Sequence, residues 1–315
     1  MEDFIPEEYW TLEADFVKGK VKFTAELTQY AGKKPDLKKE SDVSAIIDGI
    51  GGAECVVQDI KESEKTVRPK PPFTTSKLQQ VAANRLGFTS RKTMQIAQQL
   101  YEGIDLEGEG TQGLVTYIRT DSVRINDEAM ASLRAYIPGK YGKEYLSAEK
   151  NEFTGGKNAQ DAHEAIRPTD VTRTPESIRS SLSREQYMLY RLIYNRYVAS
   201  QMSPAVYETM SAEITDAHVG LRFYGEHKVF AGFTTLYEEG SDETTENVEV
   251  TLPQLEEGQP IRVREVSALQ HFTQPPGRFT EASLVRTLEE NGIGRPSTYA
   301  PTITTIIGRG YVARD

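Results

Sequence analysis

The sequence predicts a multidomain α+β protein in which a mainly helical domain interrupts a discontinuous antiparallel β domain. Two stretches of alternating apolar and polar residues predict half-buried strands, one at Val21–Leu27 and the other at Val206–Ile214. Helical spacing dominates between them, from about Thr75 to Ser203. The simplest arrangement is one β domain, which the chain leaves at the prolines near residue 70 and re-enters at Pro204.

Composition is that of an ordinary globular protein. The 315 residues are 37% hydrophobic and 27% charged, which suits two or three domains with buried cores. No apolar stretch is long enough to span a bilayer. The single cysteine, Cys55, excludes an internal disulfide and a cysteine-rich metal site, and we interpret it as a small buried hydrophobic residue. We therefore expect a cytoplasmic protein without membrane contact.

The net charge of −10 argues against a protein that coats nucleic acid with its whole surface. It still permits a local basic groove, because the charges are unevenly spread. One acidic run is interpreted as a solvated loop: Glu238, Glu239, Asp242, Glu243 and Glu246. Basic residues gather elsewhere: Arg91, Lys92, Arg119, Arg124, Arg167 and Arg295.

Local signals define parts of the helical region. Ser183-Arg-Glu-Gln186 is a capping box, and the four tyrosines at helical spacing after it are interpreted as helix core: Tyr187, Tyr190, Tyr194 and Tyr197. A weak repeat of helix, glycine-containing turn and helix starts at Thr75 and again at Thr280. In the second copy we expect Ser297 to cap the last helix, with Pro301 in its first turn.

The two helix pairs leave two alternatives open. Each pair is followed by a segment expected to be extended, 113–118 in one case and 310–312 in the other. Helix–turn–helix units followed by a strand dock on nucleic acids. Helix pairs of this kind also occur in proteins that never touch DNA, so the pattern alone does not decide the function.

The most informative string is Leu114-Val-Thr-Tyr117-Ile-Arg119-Thr-Asp121-Ser122. In an extended segment, Tyr117 and Arg119 share one face. A free tyrosine ionises only near a pKa of about 10, so a tyrosine nucleophile needs a neighbouring positive charge. Arg119 is expected to supply it and to clamp a pentavalent phosphorus. The residues from Thr120 to Ser122 suit the N-terminus of a following helix, where N–H groups attract anions.

A second string, Ala162-His163-Glu164-Ala-Ile-Arg167-Pro-Thr169, follows the glycine-containing segment 154–158. An imidazole, a carboxylate and a guanidinium this close together suit an active-site loop better than a core. It is not a zinc motif, because no second histidine lies one turn away and no cysteine is near. We assign no metal ligand in this chain. The alternatives for the two strings are a structural histidine and a tyrosine that neighbours an arginine by chance, since the chain contains 16 tyrosines.

Four blocks, in order and across nearly the whole chain, resemble type IA DNA topoisomerases. Tyr117-Ile-Arg119-Thr-Asp121-Ser122 is similar to the active-site signature of the family, and Gln160-Asp-Ala-His163-Glu-Ala-Ile-Arg167-Pro-Thr169 to its second block. Gly292-Ile-Gly-Arg295-Pro-Ser-Thr298-Tyr-Ala300 and Arg309-Gly-Tyr311-Val312 resemble the third, and Phe73-Thr-Thr-Ser-Lys-Leu-Gln-Gln80 the opening of the tyrosine domain. The second block favours bacterial topoisomerase I over topoisomerase III, with reverse gyrase as an alternative.

The resemblance implies three domains. These are a β gate (arch) domain of residues 1–72 and 204–274, a helical domain of residues 73–203 that bears the tyrosine, and a partial helical base domain of residues 275–315. It also implies that the helix–turn–helix units are catabolite-activator-like. The family begins with a Toprim domain whose acidic cluster binds Mg²⁺, and this sequence shows no such region. We therefore expect a fragment without a cofactor, inactive in relaxation by itself, from a full-length parent that uses Mg²⁺.

The resemblance also implies the reaction. Tyr117 attacks a backbone phosphate of single-stranded DNA and forms a 5′-phosphotyrosine, and the free 3′-hydroxyl reseals the break after the other strand has passed. Arg119 would stabilise the phosphate charge, and His163 would orient the nucleophile or exchange protons near it. The implied DNA contacts are Arg119, Asp121, Arg167, Arg295, Thr298 and Arg309.

The implied outcome is relaxation of negative supercoils without ATP. The expected partners are single-stranded and negatively supercoiled DNA, and we expect a monomer associated with the nucleoid in a bacterial cytoplasm. The alternative is a non-catalytic module that binds single-stranded DNA through its helix–turn–helix units.

Overall fold

The structure, a computed structural model, describes residues 3–155, 163–238 and 251–314. The chain divides into two compact units. The first comprises Met1–Thr66, Val206–Phe230 and Glu246–Arg278, and the second comprises Val67–Ala205, Ala231–Thr245 and Phe279–Asp315. Most of the predicted acidic loop, from Glu239 onward, lies outside the described residues. The same holds for three residues of the second block, Gln160, Asp161 and Ala162.

Nine strands and seven α-helices are formed by the described residues. The strands are β1 Glu8–Lys18, β2 Val21–Tyr30, β3 Glu54–Val67, β4 Ile104–Leu106, β5 Gly110–Gln112, β6 Ala205–Thr215, β7 Val219–Phe230, β8 Pro260–Arg262 and β9 Glu265–Phe272. The helices are α1 Glu40–Ile50, α2 Thr75–Leu86, α3 Ser90–Glu102, α4 Asp127–Tyr141, α5 Arg184–Ser200, α6 Glu281–Glu290 and α7 Tyr299–Gly308.

One seven-stranded sheet organises the first unit, in the order β8-β3-β6-β7-β2-β1-β9. Strands from before residue 68 and after residue 204 pair with each other, as in the antiparallel pair β2 and β7. The prediction that one sheet draws on both sides of the helical region is confirmed. The chain therefore has a mixed α/β fold. Strands that precede the helical region in the sequence pair in one sheet with strands that follow it.

The core of the first unit follows from alternation along its strands. In β1 and β2 the paired residues Phe16 and Phe23 are both buried, and their rings stack with centroids 5.4 Å apart. Phe223 of β7 packs edge-on against Phe23 at 4.9 Å. Cys55 is fully buried among them, as predicted, and burial raises the pKa of its thiol to about 11. The thiol therefore stays protonated and has the packing role of a small apolar side chain.

Helix α5 forms the buried centre of the second unit. The capping box predicted at its start is confirmed: the Ser183 hydroxyl accepts a hydrogen bond from the Gln186 N–H, and the Ser183 N–H donates to the Gln186 side chain. Three of the four tyrosines are buried, namely Tyr190, Tyr194 and Tyr197. Their hydroxyls donate to the backbone carbonyls of Arg173, Val171 and Ala129. The interpretation of this stripe as helix core is confirmed for these three residues.

The two predicted helix pairs are present, and one detail of the second is corrected. Gly87 adopts the left-handed conformation between α2 and α3, and Thr89 caps α3 through its side chain. Pro301 lies in the first turn of α7, as predicted, but Ser297 does not cap this helix. The residue at the N-cap is Thr298, whose hydroxyl is held in the preceding turn by Arg295 instead. The likeness of these pairs to catabolite-activator units stays a prediction.

Contacts between the two helix pairs are polar and lie within the second unit. The Ser76 hydroxyl of α2 donates to the Glu289 carboxylate of α6, and the Ser90 hydroxyl of α3 donates to Glu281 of α6 at 2.9 Å. Each of these carboxylates thus reaches the first turn of a helix in the other pair, where N–H groups favour negative charge. The glutamates fix the second helix pair against the first.

Candidate active site

The segment that carries Tyr117 is held by hydrogen bonds to the string that contains His163. The Thr116 N–H donates to the Arg167 carbonyl at 2.9 Å, and the Arg167 N–H donates back to the Thr116 hydroxyl at 3.0 Å. The same hydroxyl donates to the Ala165 carbonyl at 2.7 Å. Val115 and Pro168 form an isolated bridge beside them. Two strings separated by about fifty residues in sequence therefore lie side by side.

Thr75, the first residue of α2, fixes the other side of this segment. Its hydroxyl lies 2.7 Å from the Ile118 carbonyl and 3.0 Å from the Thr120 carbonyl, and the Thr120 N–H donates to it at 2.8 Å. Thr75 is fully buried, and so is Ile118. Because buried backbone groups must be paired, these bonds determine the path of the chain on both sides of Tyr117.

Two other aromatic rings contact the Tyr117 ring. The His163 ring is tilted against it with centroids 4.8 Å apart, and the Tyr101 ring meets it edge-on at 5.7 Å. Tyr117 is partly buried, and His163 is exposed. Within the described part of the chain, the Tyr117 hydroxyl makes no hydrogen bond. The site thus presents a phenol beside an imidazole, with the ring supported and the oxygen available.

Residues 113–118 belong to no regular strand, although Val115 forms an isolated bridge with Pro168, and their extended conformation stays a prediction. One local expectation for this segment is wrong. Residues 120–122 do not begin a helix, because α4 starts at Asp127 with Asn126 as its N-cap. Side-chain oxygens satisfy the N–H groups here instead: Ser122 N–H donates to the Thr120 hydroxyl, and Arg124 N–H to the Ser122 hydroxyl. The predicted helix N-terminus for binding an anion is therefore absent at this point of the described chain.

Arg119 and Arg167 have opposite surroundings. Arg119 is exposed next to the buried Ile118 and makes no ion pair with any described residue. Arg167 is only 7% exposed, and its guanidinium donates to Glu164 at 2.8 Å and to the Pro168 carbonyl at 2.9 Å. One guanidinium is thus available to a ligand, whereas the other is built into the protein. The predicted contact of Arg167 with DNA stays a prediction.

Glu164 joins the His163 string to the start of α4. Its second oxygen accepts a hydrogen bond from the Asn126 amide at 2.7 Å, and the Asn126 oxygen caps α4 by accepting from the Ala129 N–H. Burial by itself raises the pKa of Glu164, but the hydrogen bond and charge of Arg167, together with Asn126, bring the pKa below its ordinary value. The carboxylate is therefore ionised at neutral pH and acts as a fixed partner next to His163.

The block around Arg295 forms a tight turn before α7. The Arg295 N–H donates to the Thr298 hydroxyl at 2.8 Å, and the exposed guanidinium contacts the Gly294 carbonyl. Next in the chain is the buried Tyr299. Burial raises the pKa of Tyr299; the charges of Glu289 and Asp121 act in the same direction, and that of Arg295 against them. Asp121 therefore lies close enough to this turn for the two blocks to influence each other electrostatically.

Comparison with known proteins identifies the family. The family model for DNA topoisomerase matches residues 1–315 of the sequence. The chain belongs to the type IA DNA topoisomerase family. It is also similar to a solved structure, full-length topoisomerase I from Thermotoga maritima, with 36% sequence identity and a TM-score of 0.83. The match covers 100% of this chain and 49% of that one, so the chain spans about half the length of this relative.

Several residues that shape the candidate site were not singled out from the sequence. Thr75 belongs to a recognised block, but nothing in the block indicates that its hydroxyl bonds to residues 118 and 120. Asn126 could have been found as a helix cap, since it precedes the acidic pair Asp127 and Glu128. Tyr101 carries no sequence signal, because its proximity to Tyr117 depends on the chain reversing direction through β4 and β5.

The described residues of this topoisomerase chain do not provide a metal site. Over residues 3–155, 163–238 and 251–314, no group of three or more His, Cys, Asp or Glu side chains is arranged to hold a metal ion. The resemblance implies Mg²⁺ for the full-length parent, and that expectation stays a prediction. Among the same residues, no helix is long and apolar enough to cross a membrane.

The ion pair of Glu164 predicts a pH-dependent contribution to stability. Its pKa is lowered in the folded protein, so the stabilisation is present above the unfolded pKa and disappears as the pH falls through the folded value. Glu164→Gln is expected to lower the free energy of unfolding by about 1–2 kcal/mol at neutral pH, because the Arg167 guanidinium loses its charged partner. Denaturant unfolding followed by helical circular dichroism measures the change.

The pH series gives the control for this substitution. The difference between wild type and Glu164→Gln should fade below about pH 4. Glu149→Gln, at an exposed position, should change stability little at any pH. A Glu164→Gln penalty that persists unchanged in acid would contradict the ionised pair.

Proposed function

We propose that this chain carries the nucleophile of a type IA topoisomerase, and that Tyr117 is that nucleophile. The observation that supports the proposal is the position of the Tyr117 ring. It contacts the His163 and Tyr101 rings. Hydrogen bonds join the segment that carries it to two other blocks that resemble the family. A partly exposed phenol on a rigid support suits nucleophilic attack better than it suits core packing.

The proposed step is a transesterification on single-stranded DNA. The Tyr117 hydroxyl gives up its proton and its oxygen forms a bond to a backbone phosphorus. The bond between that phosphorus and the 3′-oxygen breaks, and the 3′-oxygen takes up one proton and leaves as a hydroxyl, so no net proton is released. The product is a 5′-phosphotyrosine, and the reverse step reseals the strand. Because the phosphodiester bond energy is kept in the intermediate, passage of the other strand relaxes negative supercoils without ATP.

His163 and Arg119 are proposed to assist this step. The imidazole of His163 lies beside the phenol, where it orients the ring or exchanges protons close to the reacting oxygen. Arg119 is exposed two residues from Tyr117, and its guanidinium is suited to the charge that develops on the phosphate. Arg167 acts through Glu164, because its described hydrogen bonds keep the His163 string in place.

DNA contacts are proposed for the turn before α7 and its surroundings. Arg295 and Arg309 are exposed, and Thr298 and Asp121 lie in or near the same turn. Arginines of this kind bind phosphates without reading base sequence. We propose single-stranded and negatively supercoiled DNA as partners of a monomeric protein in a bacterial cytoplasm, in association with the nucleoid.

A second candidate is a module that binds single-stranded DNA without cleaving it. It is favoured by the two helix pairs and by the exposed arginines Arg295 and Arg309 next to the last helix. The two candidates differ in one product, the covalent link between protein and DNA.

Replacement of Tyr117 tests the nucleophile. In the full-length gene product, Tyr117→Phe is expected to abolish covalent adducts with single-stranded DNA and to leave DNA affinity nearly unchanged. The variant loses one oxygen and keeps the ring contacts with Tyr101 and His163. Denaturing gels detect the adduct, and Tyr187→Phe is the matched control, because it removes the same oxygen from another partly buried tyrosine. Adducts formed by Tyr117→Phe would identify another residue as the nucleophile.

The 315-residue chain by itself is expected not to relax a supercoiled plasmid in the presence of Mg²⁺. The family resemblance implies that relaxation needs an acidic cluster that binds Mg²⁺, and the described residues form no such group. Agarose electrophoresis of the plasmid measures relaxation. The full-length gene product is the positive control, and robust relaxation by the short chain would contradict the expectation.

Arg295→Ala is expected to weaken binding to single-stranded DNA and to reduce its salt dependence. Each phosphate contact contributes about 0.7 to the slope of log K against log salt on single strands, since a bound cation displaces counterions. Fluorescence anisotropy over a salt series measures the slope. Arg191→Ala removes an exposed arginine from α5 and serves as the control. If the slope does not change in Arg295→Ala, Arg295 does not contact phosphate and its role is to stabilise the turn before α7.

A further inference from the structure

Tyr101 is the aromatic side chain in contact with Tyr117 that the proposed reaction does not use. It is the penultimate residue of α3 and is 39% exposed. Its ring meets the Tyr117 ring edge-on, with centroids 5.7 Å apart and an interplanar angle of 70°. Edge-to-face geometry is the favourable arrangement for two aromatic rings, because the positive edge of one faces the negative face of the other.

The backbone couples Tyr101 tightly to the Tyr117 segment. After α3 the short hairpin of β4 and β5 returns the chain to the end of the helix, where the Leu114 N–H donates to the Leu100 carbonyl at 2.8 Å. Gly113 lies so close that a Cβ there would be 2.9 Å from the Tyr101 carbonyl oxygen, which leaves no room for a side chain. The end of α3 and the start of the Tyr117 segment therefore form one rigid support.

We propose that Tyr101 is a positioning residue for Tyr117, whose ring edge holds the phenol of the nucleophile against His163 in the orientation for attack. The inference rests on the proposed nucleophilic role of Tyr117. Tyr101 and His163 both contact the Tyr117 ring, so loss of the Tyr101 contact lets the Tyr117 side chain sample other orientations. Within the described residues the Tyr101 hydroxyl makes no hydrogen bond. The ring, and not the hydroxyl, therefore carries the effect.

The test uses the full-length gene product and single-turnover cleavage of a single-stranded oligonucleotide at saturating protein. Tyr101→Leu, which keeps an apolar side chain and good helix propensity, is expected to slow cleavage by up to about tenfold. The dissociation constant for DNA should remain that of wild type. Tyr101→Phe should cleave at the wild-type rate, because phenylalanine keeps the aromatic ring that contacts Tyr117. The thermal midpoint of each variant is measured alongside.

Ile96→Val on the same helix is the control for a loss of stability alone, since Ile96 is buried and is not one of the aromatic side chains that contact the Tyr117 ring. The inference is overturned if Tyr101→Leu cleaves at the wild-type rate. It is also overturned if only the DNA affinity falls, which would make Tyr101 a surface for base stacking. An equal loss of rate in Ile96→Val at a similar thermal midpoint would overturn it as well. Failure of the wild-type protein to form any adduct would instead refute the proposed function.

Discussion

The candidate site depends on the hydrogen bonds of one threonine. The Thr116 hydroxyl bonds to the Ala165 carbonyl and the Arg167 N–H, while the Thr116 N–H bonds to the Arg167 carbonyl. These bonds place Tyr117 and His163, which lie 46 positions apart in the numbering, with their rings in contact. Loss of the hydroxyl would leave the Arg167 N–H unpaired, which costs about 1–3 kcal/mol, while the Thr116 N–H would still bond to the Arg167 carbonyl.

Charge is divided between two arginines in a way that suits the proposed chemistry. Arg167 is buried and paired with Glu164. Its positive charge is largely balanced by this carboxylate, so its main contribution is to the structure of the site. Arg119 is exposed and has no ion pair among the described residues, so its charge is available to a phosphate. A protein with a net charge of −10 can therefore still present a local positive site to DNA.

Periodic and family-like features could be predicted from the sequence, whereas features that depend on tertiary contacts could not. Strands β2 and β6, the capping box at Ser183 and the family itself were found because alternation, caps and motifs are local in sequence. The helix start expected at residues 120–122 was wrong, because hydroxyl groups satisfied the N–H groups there without a helix. The cap expected at Ser297 was wrong, because the turn held by Arg295 moved the helix start by one residue. Tyr101 was not found, because its contact with Tyr117 arises only after the β4–β5 hairpin has folded.

The most direct test of the account is the location of the covalent bond. The full-length gene product is incubated with a suicide oligonucleotide that traps the cleaved strand, and the adduct is digested with trypsin and sequenced by mass spectrometry. The peptide that follows Lys92 and ends at Arg119 contains both Tyr101 and Tyr117, and fragment ions separate the two. The account predicts a nucleotide phosphate attached to Tyr117 and none on Tyr101. Attachment to any other residue, or no adduct at all, would contradict it.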